Sequence, residues 1–106
     1  MQIDRTLKKV SDLAAVQGQD PGFGNVFSDH MLVREWIDGE WGNPMITPRS
    51  PIAVEPSALG IHYGQSVFEG LKAYRGSQDD VIRLFRPDRN AARLEASSTR
   101  LCIPTL

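Results

Sequence analysis

The chain has 106 residues, with 12 basic and 13 acidic side chains and a formal net charge of −1. This length allows one domain or part of one, and the balanced charge excludes the strongly basic surface typical of binding to nucleic acid or to an anionic membrane. No apolar run reaches the roughly 18 residues of a membrane span, the N-terminus lacks the core of a secretory signal, and Cys102 is the only cysteine. We therefore expect a cytoplasmic protein without an internal disulfide.

The first half of the chain predicts a short helix followed by extended pieces. Apolar residues recur at helical spacing near the N-terminus, which predicts a short amphipathic helix, at Ile3, Leu7, Val10 and Leu13 or Ala14. Residues 17–24 have the composition of a loop. Residues 27–37 suit a strand that ends at Asp38-Gly39, a strong hairpin-turn signal. Residues 41–54 predict one or two short extended pieces, interrupted by prolines.

The second half predicts a helical turn, a hairpin and a longer helix. A loop followed by one helical turn is expected over 56–68, and then hairpin arms at 71–75 and 81–86. Pro87 suits the first position of a helix, which should continue over 88–101 and end before Pro104. Because the strands come as hairpins, we expect an α+β fold: a two-layer small domain with a mainly antiparallel sheet and helices packed on one side.

Arg93 is a candidate anion-binding residue on this last helix. Its neighbours three and four positions away are Arg89, Asn90, Ala96 and Ser97, none of which is acidic. The guanidinium therefore lies in solvent, pairs with a distant acid, or binds an anion such as phosphate through two parallel hydrogen bonds. Composition alone favours the solvated side chain.

Three aromatic side chains are candidates for an apolar binding site. Tyr63 and Phe68 flank the predicted helical turn, and Phe23 lies between two glycines in a loop. Core packing is the ordinary role of such rings, but Gly-Phe-Gly in a loop is a poor way to build a core. Phe23 is therefore the ring most expected to cover a ligand.

Other site chemistries find little support. The only histidines, His30 and His62, belong to no cluster of metal ligands, so no metal site is expected. The serines occur in no nucleophile-elbow motif. Lys72 lies in an apolar run, but a lysine on a strand usually reaches solvent rather than forming a Schiff base.

Three segments taken together resemble the branched-chain aminotransferases, which are fold-type IV pyridoxal-phosphate enzymes. The resemblance covers about residues 23–104. Its residues are Phe23-Gly24 with Phe27-Ser28-Asp29-His30-Met31; His62-Tyr63 with Phe68-Glu69-Gly70-Leu71-Lys72-Ala73-Tyr74-Arg75; and Leu84-Phe85-Arg86-Pro87 with Asn90, Arg93, Arg100-Leu101 and Pro104.

The resemblance implies a role for each candidate residue. Arg93 matches the arginine that binds the phosphate of pyridoxal 5′-phosphate. Phe23 and Phe68 match rings that line the substrate side-chain pocket, and Tyr63 matches a tyrosine that reaches the pocket of the partner subunit. The family is at least dimeric, so a homodimer or larger homo-oligomer is implied.

The resemblance also implies an activity that these residues alone do not complete. The family transfers the amino group of L-leucine, L-isoleucine or L-valine to 2-oxoglutarate, giving branched 2-oxo acids and L-glutamate in branched-chain amino acid biosynthesis. Its Schiff-base lysine lies in a later domain, and no residue here, Lys72 included, matches it. We expect residues 1–22 to be an N-terminal extension and 23–106 a truncated N-terminal small domain without catalytic residues of its own.

Two other readings stay open from the sequence. A D-amino acid aminotransferase or an aminodeoxychorismate lyase would share the fold and the phosphate arginine. A non-catalytic binding or oligomerisation module would need neither substrate nor cofactor.

Overall fold

The computed structural model describes residues 2–11, 13, 18 and 20–106, and divides into two compact units. The first unit is Met1–Ala53 and the second is Val54–Leu106. The described residues form an α+β fold with antiparallel pairing in the majority, as predicted. The strands form three small sheets rather than the single sheet that the hairpin pattern predicted.

The first unit contains a three-stranded sheet and a separate hairpin. Strand β1 (Asp4–Arg5) pairs in parallel with β5 (Met45–Pro48), and β2 (His30–Val33) pairs antiparallel with the other edge of β5. The hairpin joins β3 (Trp36–Ile37) to β4 (Glu40–Trp41).

The hairpin turn of the first unit lies where the sequence predicted it. Asp38 and Gly39 have φ values of 52° and 87°. Two consecutive positive φ values are the requirement of the two-residue turn that matches the twist of the strands, and Asp-Gly meets it with little strain. The Trp36 and Trp41 rings then meet edge to face across the hairpin, with centroids 5.3 Å apart.

The N-terminal helix prediction is wrong for residues 2–11, which contain no helix. Instead, the Asp4 amide donates to the Pro44 carbonyl at 3.1 Å, and the Thr6 amide donates to the Ile46 carbonyl at 2.8 Å. A short isolated helix is marginal in water, whereas the open edge of β5 offers unpaired backbone groups. Leu13 is exposed, and Ala14, the alternative end of the predicted helix, lies outside the described residues.

The second unit follows the predicted order closely. The single helical turn is helix α1 (Leu59–His62), which lies before Tyr63 and not between Tyr63 and Phe68 as predicted; the loop follows it. Strand β6 (Ala73–Arg75) pairs antiparallel with β7 (Ile82–Leu84). Helix α2 (Pro87–Arg100) begins with Pro87. Neither described helix is long and apolar enough to cross a membrane.

Helix α2 ends in a pair of backbone hydrogen bonds typical of a left-handed C-terminal cap. The Ile103 amide donates to the Ser98 carbonyl at 2.9 Å, and the Cys102 amide donates to the Thr99 carbonyl at 3.2 Å. Cys102 has φ 54°, at the position that helices commonly give to glycine. The chain therefore leaves α2 sharply just before Pro104.

Burial of apolar side chains is unusually low in both units. Among the described residues no large hydrophobic side chain is fully buried, and Ser98 is the one buried polar residue. Phe68 is 92% exposed and Phe85 is 80% exposed. Large apolar side chains are therefore exposed to solvent in both units.

Candidate functional site

A cationic cavity lies along the first turns of α2. It has a volume of about 300 Å³ and is lined by Phe85, Arg86, Arg89, Asn90 and Arg93. The turn out of β7 creates it, because Arg86 adopts a left-handed conformation (φ 49°, ψ 51°) immediately before Pro87 starts the helix. Helical spacing then brings the side chains at 86, 89, 90 and 93 to one side.

Two of the three arginines at this cavity share one acid on the helix. The Arg86 guanidinium donates to both carboxylate oxygens of Asp88, at 3.2 Å from Nε and 3.1 Å from Nη2. Arg89 Nε lies 3.9 Å from Asp88 Oδ2. The hydrogen bond from Arg86 is the main cause that lowers the pKa of Asp88 below its usual value, so the acid is ionised at neutral pH.

Arg93 pairs with a distant acid, Glu69, from the stretch that precedes β6. Arg93 Nε donates to Glu69 Oε2 at 2.5 Å, and Arg93 Nη2 donates to Glu69 Oε1. The Arg93 side chain is 70% exposed, but that of Glu69 is only 11% exposed. Of the three readings of Arg93 that the sequence left open, pairing with a distant acid is therefore observed.

Glu69 is held by further hydrogen bonds. Its Oε1 accepts from the Gly70 amide at 2.9 Å and from Asn90 Nδ2 at 3.1 Å. Asn90 Nδ2 also lies 2.8 Å from the Gly70 carbonyl, to which it donates. The carboxylate is thus fixed from its own backbone and from α2 before the arginine contact is counted.

These contacts make the Glu69–Arg93 pair fully ionised at neutral pH. The hydrogen bond from Arg93 is the largest cause that lowers the pKa of Glu69 to about 2, and the Gly70 and Asn90 hydrogen bonds act in the same direction against desolvation. In return, Glu69 raises the pKa of Arg93 above its already high value. The pair is a salt bridge with two parallel hydrogen bonds.

One edge of the Arg93 guanidinium stays available for an anion. Glu69 accepts from Nε and Nη2, and a guanidinium carries five N–H groups in a planar fork. Among the described residues, no hydrogen bond or ion pair engages Nη1. The free edge, formed by Nη1 and the second hydrogen of Nη2, has the shape that takes a phosphate through two parallel bonds.

The three predicted aromatic residues are all exposed. Phe23 lies in a turn of the first unit and is 102% exposed, whereas Tyr63 and Phe68 belong to the second unit and are 83% and 92% exposed. Core packing, the ordinary role of such rings, is therefore not theirs in this structure. The rings remain available to line a pocket.

The histidines do not form a metal centre in the described part of the chain. His30 Nε2 accepts a hydrogen bond from the Lys8 amide at 2.8 Å. No group of three or more histidine, cysteine, aspartate or glutamate side chains that could bind a metal ion is found among the described residues.

Comparison with known proteins gives the chain its relatives. It is 52% identical over 85 residues to branched-chain-amino-acid aminotransferase 2 of Bacillus subtilis, covering 79% of this chain and 23% of that protein. It is 48% identical over 88 residues to the branched-chain-amino-acid aminotransferase of Mycolicibacterium smegmatis, covering 82% and 24%. This chain matches a segment of the branched-chain aminotransferases. No protein-family model matches it.

A eukaryotic relative agrees with the bacterial ones. The cytosolic branched-chain-amino-acid aminotransferase of Saccharomyces cerevisiae is 46% identical over 84 residues, covering 78% of this chain and 22% of that protein. The chain spans about a quarter of the length of the branched-chain aminotransferases it matches.

Sequence reasoning missed most of the cavity around Arg93. It identified Arg89 and Asn90 as helical neighbours of Arg93, but it gave no role to Arg86 or Arg89 and assigned Glu69 no partner. The absence of a local acid near Arg93 was the signal for a distant one. Finding Glu69 from that signal requires a contact across 24 residues, which no helical or strand period encodes.

Proposed function

We propose that this chain is part of a pyridoxal 5′-phosphate-dependent branched-chain amino acid aminotransferase. The enzyme would transfer the amino group of L-leucine, L-isoleucine or L-valine to 2-oxoglutarate. The observation that carries the proposal is the 46–52% identity to three aminotransferases of that name in two bacteria and a yeast. We further propose that residues 23–106 belong to the small N-terminal domain, preceded by an extension over 1–22, and that the protein is cytoplasmic.

The side chains of the α2 cavity fit the phosphate of the proposed cofactor. A phosphate ester needs several cationic or N–H donors, and Arg86, Arg89, Asn90 and Arg93 border one small cavity. The free edge of Arg93 offers two donors in the geometry that phosphate accepts. We therefore assign Arg93 to the cofactor phosphate.

In this proposal the chain binds and orients the cofactor, while the reactive groups come from the cofactor itself and from polypeptide outside this chain. When bound, pyridoxal 5′-phosphate supplies the electron sink for removal of the proton from the amino acid. Arg93 would hold the phosphate end in place while the covalent link between the enzyme and the other end of the cofactor changes. The Schiff-base lysine is assigned to polypeptide outside this chain, because Lys72 does not match the family's lysine.

The exposed rings explain the proposed substrate class. Phe23 and Phe68 would line the pocket for the amino acid side chain, and Tyr63 would reach the pocket of a partner subunit in a homodimer. One methylene in an apolar pocket changes binding by only about 1–3 kcal/mol. A pocket that takes leucine should therefore also take isoleucine and valine. Carboxylate substrates other than glutamate should bind poorly, because an unpaired charge against the rings loses its hydration.

The proposed function is tested by substrate preference in the intact protein that carries this chain. We expect amino transfer from L-leucine, L-isoleucine and L-valine to 2-oxoglutarate, measured as glutamate formed. Activity on D-alanine without activity on L-leucine would instead indicate a D-amino acid aminotransferase. Formation of 4-aminobenzoate from aminodeoxychorismate would indicate the lyase, and no activity with any of these substrates would favour a non-catalytic module.

The role of the rings needs its own variant. Phe68→Ala should raise KM for leucine more than KM for glutamate, because only the branched side chain loses apolar contact in the pocket. Equal effects on both substrates would make Phe68 a structural ring. Tyr74→Ala, which removes an exposed ring from β6, is the matched control and should leave both KM values unchanged.

A further inference from the structure

We propose that Glu69 is a positioning residue that fixes the guanidinium of Arg93 so that its free edge meets the cofactor phosphate. This inference rests on the proposed function, because it assigns Glu69 a part in the same phosphate site. Glu69 would act through Arg93 and would not touch the cofactor.

The first support is the asymmetry of the pair. Glu69 is nearly covered, whereas Arg93 is mostly exposed. A long exposed arginine normally samples many rotamers, and ordering it costs conformational entropy each time a ligand binds. A covered carboxylate with fixed partners removes that cost beforehand, which is the general source of preorganised binding.

The second support is the way in which Glu69 itself is fixed. Its Oε1 accepts from the Gly70 amide at 2.9 Å and from Asn90 Nδ2 at 3.1 Å. Asn90 is on α2, one turn before Arg93, and the same Asn90 group also donates to the Gly70 carbonyl at 2.8 Å. The carboxylate is thereby tied to the helix that carries the arginine.

The third support is which guanidinium atoms Glu69 uses. It takes Nε and one hydrogen of Nη2. This side-on contact leaves the Nη1–Nη2 edge intact, whereas an end-on contact would occupy both terminal nitrogens. The ion pair therefore leaves a phosphate its two-donor edge.

Two possible roles of Glu69 predict opposite changes in cofactor affinity when its carboxylate is removed. A carboxylate beside a phosphate repels it, so a Glu69 with no positioning role would weaken cofactor binding and its removal would tighten it. Positioning predicts the opposite, because removal frees the guanidinium. The direction of the change in affinity therefore decides between the two roles.

The experiment compares two carboxylates in the intact enzyme, prepared without its cofactor. Glu69→Ala and Glu69→Gln are matched by Asp79→Ala and Asp79→Asn, because Asp79 forms a similar two-bond pair with Arg83 in the β6–β7 turn. The probes are pyridoxal 5′-phosphate and pyridoxal, which lacks the phosphate. Affinity for each is measured by titration of the apoprotein. Arg93→Ala reports on the phosphate site itself.

We expect Glu69→Ala to weaken pyridoxal 5′-phosphate binding about tenfold and to leave pyridoxal binding unchanged. Glu69→Gln should lose about threefold, since the carboxamide keeps one acceptor but not the charge. The Asp79 variants should change neither affinity. In the same proteins, the Arg93 Nε–H resonance should be protected from exchange in the wild type and exposed in Glu69→Ala.

Three other results would overturn the inference. Unchanged or tighter cofactor binding by Glu69→Ala, with weakened binding by Arg93→Ala, would remove Glu69 and leave the proposed function standing. Equal loss of pyridoxal and pyridoxal 5′-phosphate would make Glu69 merely structural, and Glu69→Gln decides this if Glu69→Ala fails to fold. Unchanged binding by Arg93→Ala would refute the phosphate site itself, and the inference with it.

Discussion

Two salt bridges of the second unit have the same chemistry and different surroundings. Arg93 and Glu69 meet across 24 residues, whereas Arg83 and Asp79 meet across four. Each arginine donates from two nitrogens to both oxygens of its acid. The acid is 11% exposed in the first pair and 45% exposed in the second.

The difference separates a contact that closes a turn from one that links distant parts of the chain. Asp79 also accepts from the Val81 amide at 3.1 Å, so its pair completes the turn between β6 and β7. Glu69 instead joins the stretch before β6 to α2. Local exposed pairs contribute little to stability, and we therefore expect function to depend on the distant pair.

The largest effect should come from removing the two arginines in turn. Arg93→Ala should weaken pyridoxal 5′-phosphate binding in the intact enzyme about 100-fold, because it deletes two charge-assisted hydrogen bonds to phosphate. Arg83→Ala should leave that affinity unchanged. Titration of each apoprotein with cofactor, followed by absorbance, measures the two affinities. Similar losses in the two variants would show that the two pairs do not differ in function.

The next largest effect should be the acid titration of the Glu69–Arg93 pair. Glu69 should titrate with a pKa of about 2 instead of its ordinary 4.5, and should return toward 4.5 in Arg93→Ala. Because the pKa is lower when folded, the pair stabilises the fold fully above pH 4.5 and loses that contribution as the pH falls toward 2. The carboxyl ¹³C shift of Glu69 reports the titration, and a normal pKa would mean that the pair is open in solution.

A smaller effect is expected at Asn90. Asn90→Ala removes the hydrogen bonds to Glu69 Oε1 and to the Gly70 carbonyl, and should lower the free energy of unfolding by about 1 kcal/mol. Urea unfolding of the intact enzyme measures it. Ser77→Ala, in the exposed β6–β7 turn, is the matched control. An Asn90→Ala variant as stable as Ser77→Ala would show that Glu69 needs no second anchor.

The smallest effect should come from the highly exposed salt bridge between Arg75 and Asp80. Arg75 Nη1 and Asp80 Oδ1 are 3.0 Å apart, with side chains 70% and 75% exposed. Asp80→Asn keeps a residue type that tolerates the positive φ at this position, and should change the free energy of unfolding by less than about 0.5 kcal/mol. A larger loss of unfolding free energy in urea would mean that local exposed pairs stabilise the fold as much as the distant pair does.

The sequence predicted the local features of this fold better than its distant contacts. The Asp38-Gly39 turn, the start of α2 at Pro87 and the hairpin before it follow from residue types within a few positions. The predicted N-terminal helix was wrong over residues 2–11. The spacing of Ile3, Leu7 and Val10 is helical, whereas the backbone at Asp4–Arg5 pairs with the edge of a sheet. Backbone pairing of that kind leaves no mark on side-chain periodicity.

The candidate site also contains local features that the sequence predicted and a distant contact that it did not. Arg93 was identified from the resemblance, and its lack of a local acid was visible in the sequence. Its partner Glu69 required the three-dimensional arrangement, because one residue of the pair lies in a loop and the other on a helix. Arg86 and Arg89 lie at helical spacing from Arg93, so the sequence contained the signal for them. The roles of Phe23, Tyr63 and Phe68 stay predictions.

The exposed rings described above also bear on how this polypeptide behaves at the bench. Solvent-exposed phenylalanines such as Phe23, Phe68 and Phe85 promote association with other apolar surfaces, including those of a second copy. Sulfate or phosphate salts strengthen that tendency, because they are excluded from protein surfaces. Anyone expressing these 106 residues by themselves should therefore choose dilute, low-salt handling and watch light scattering.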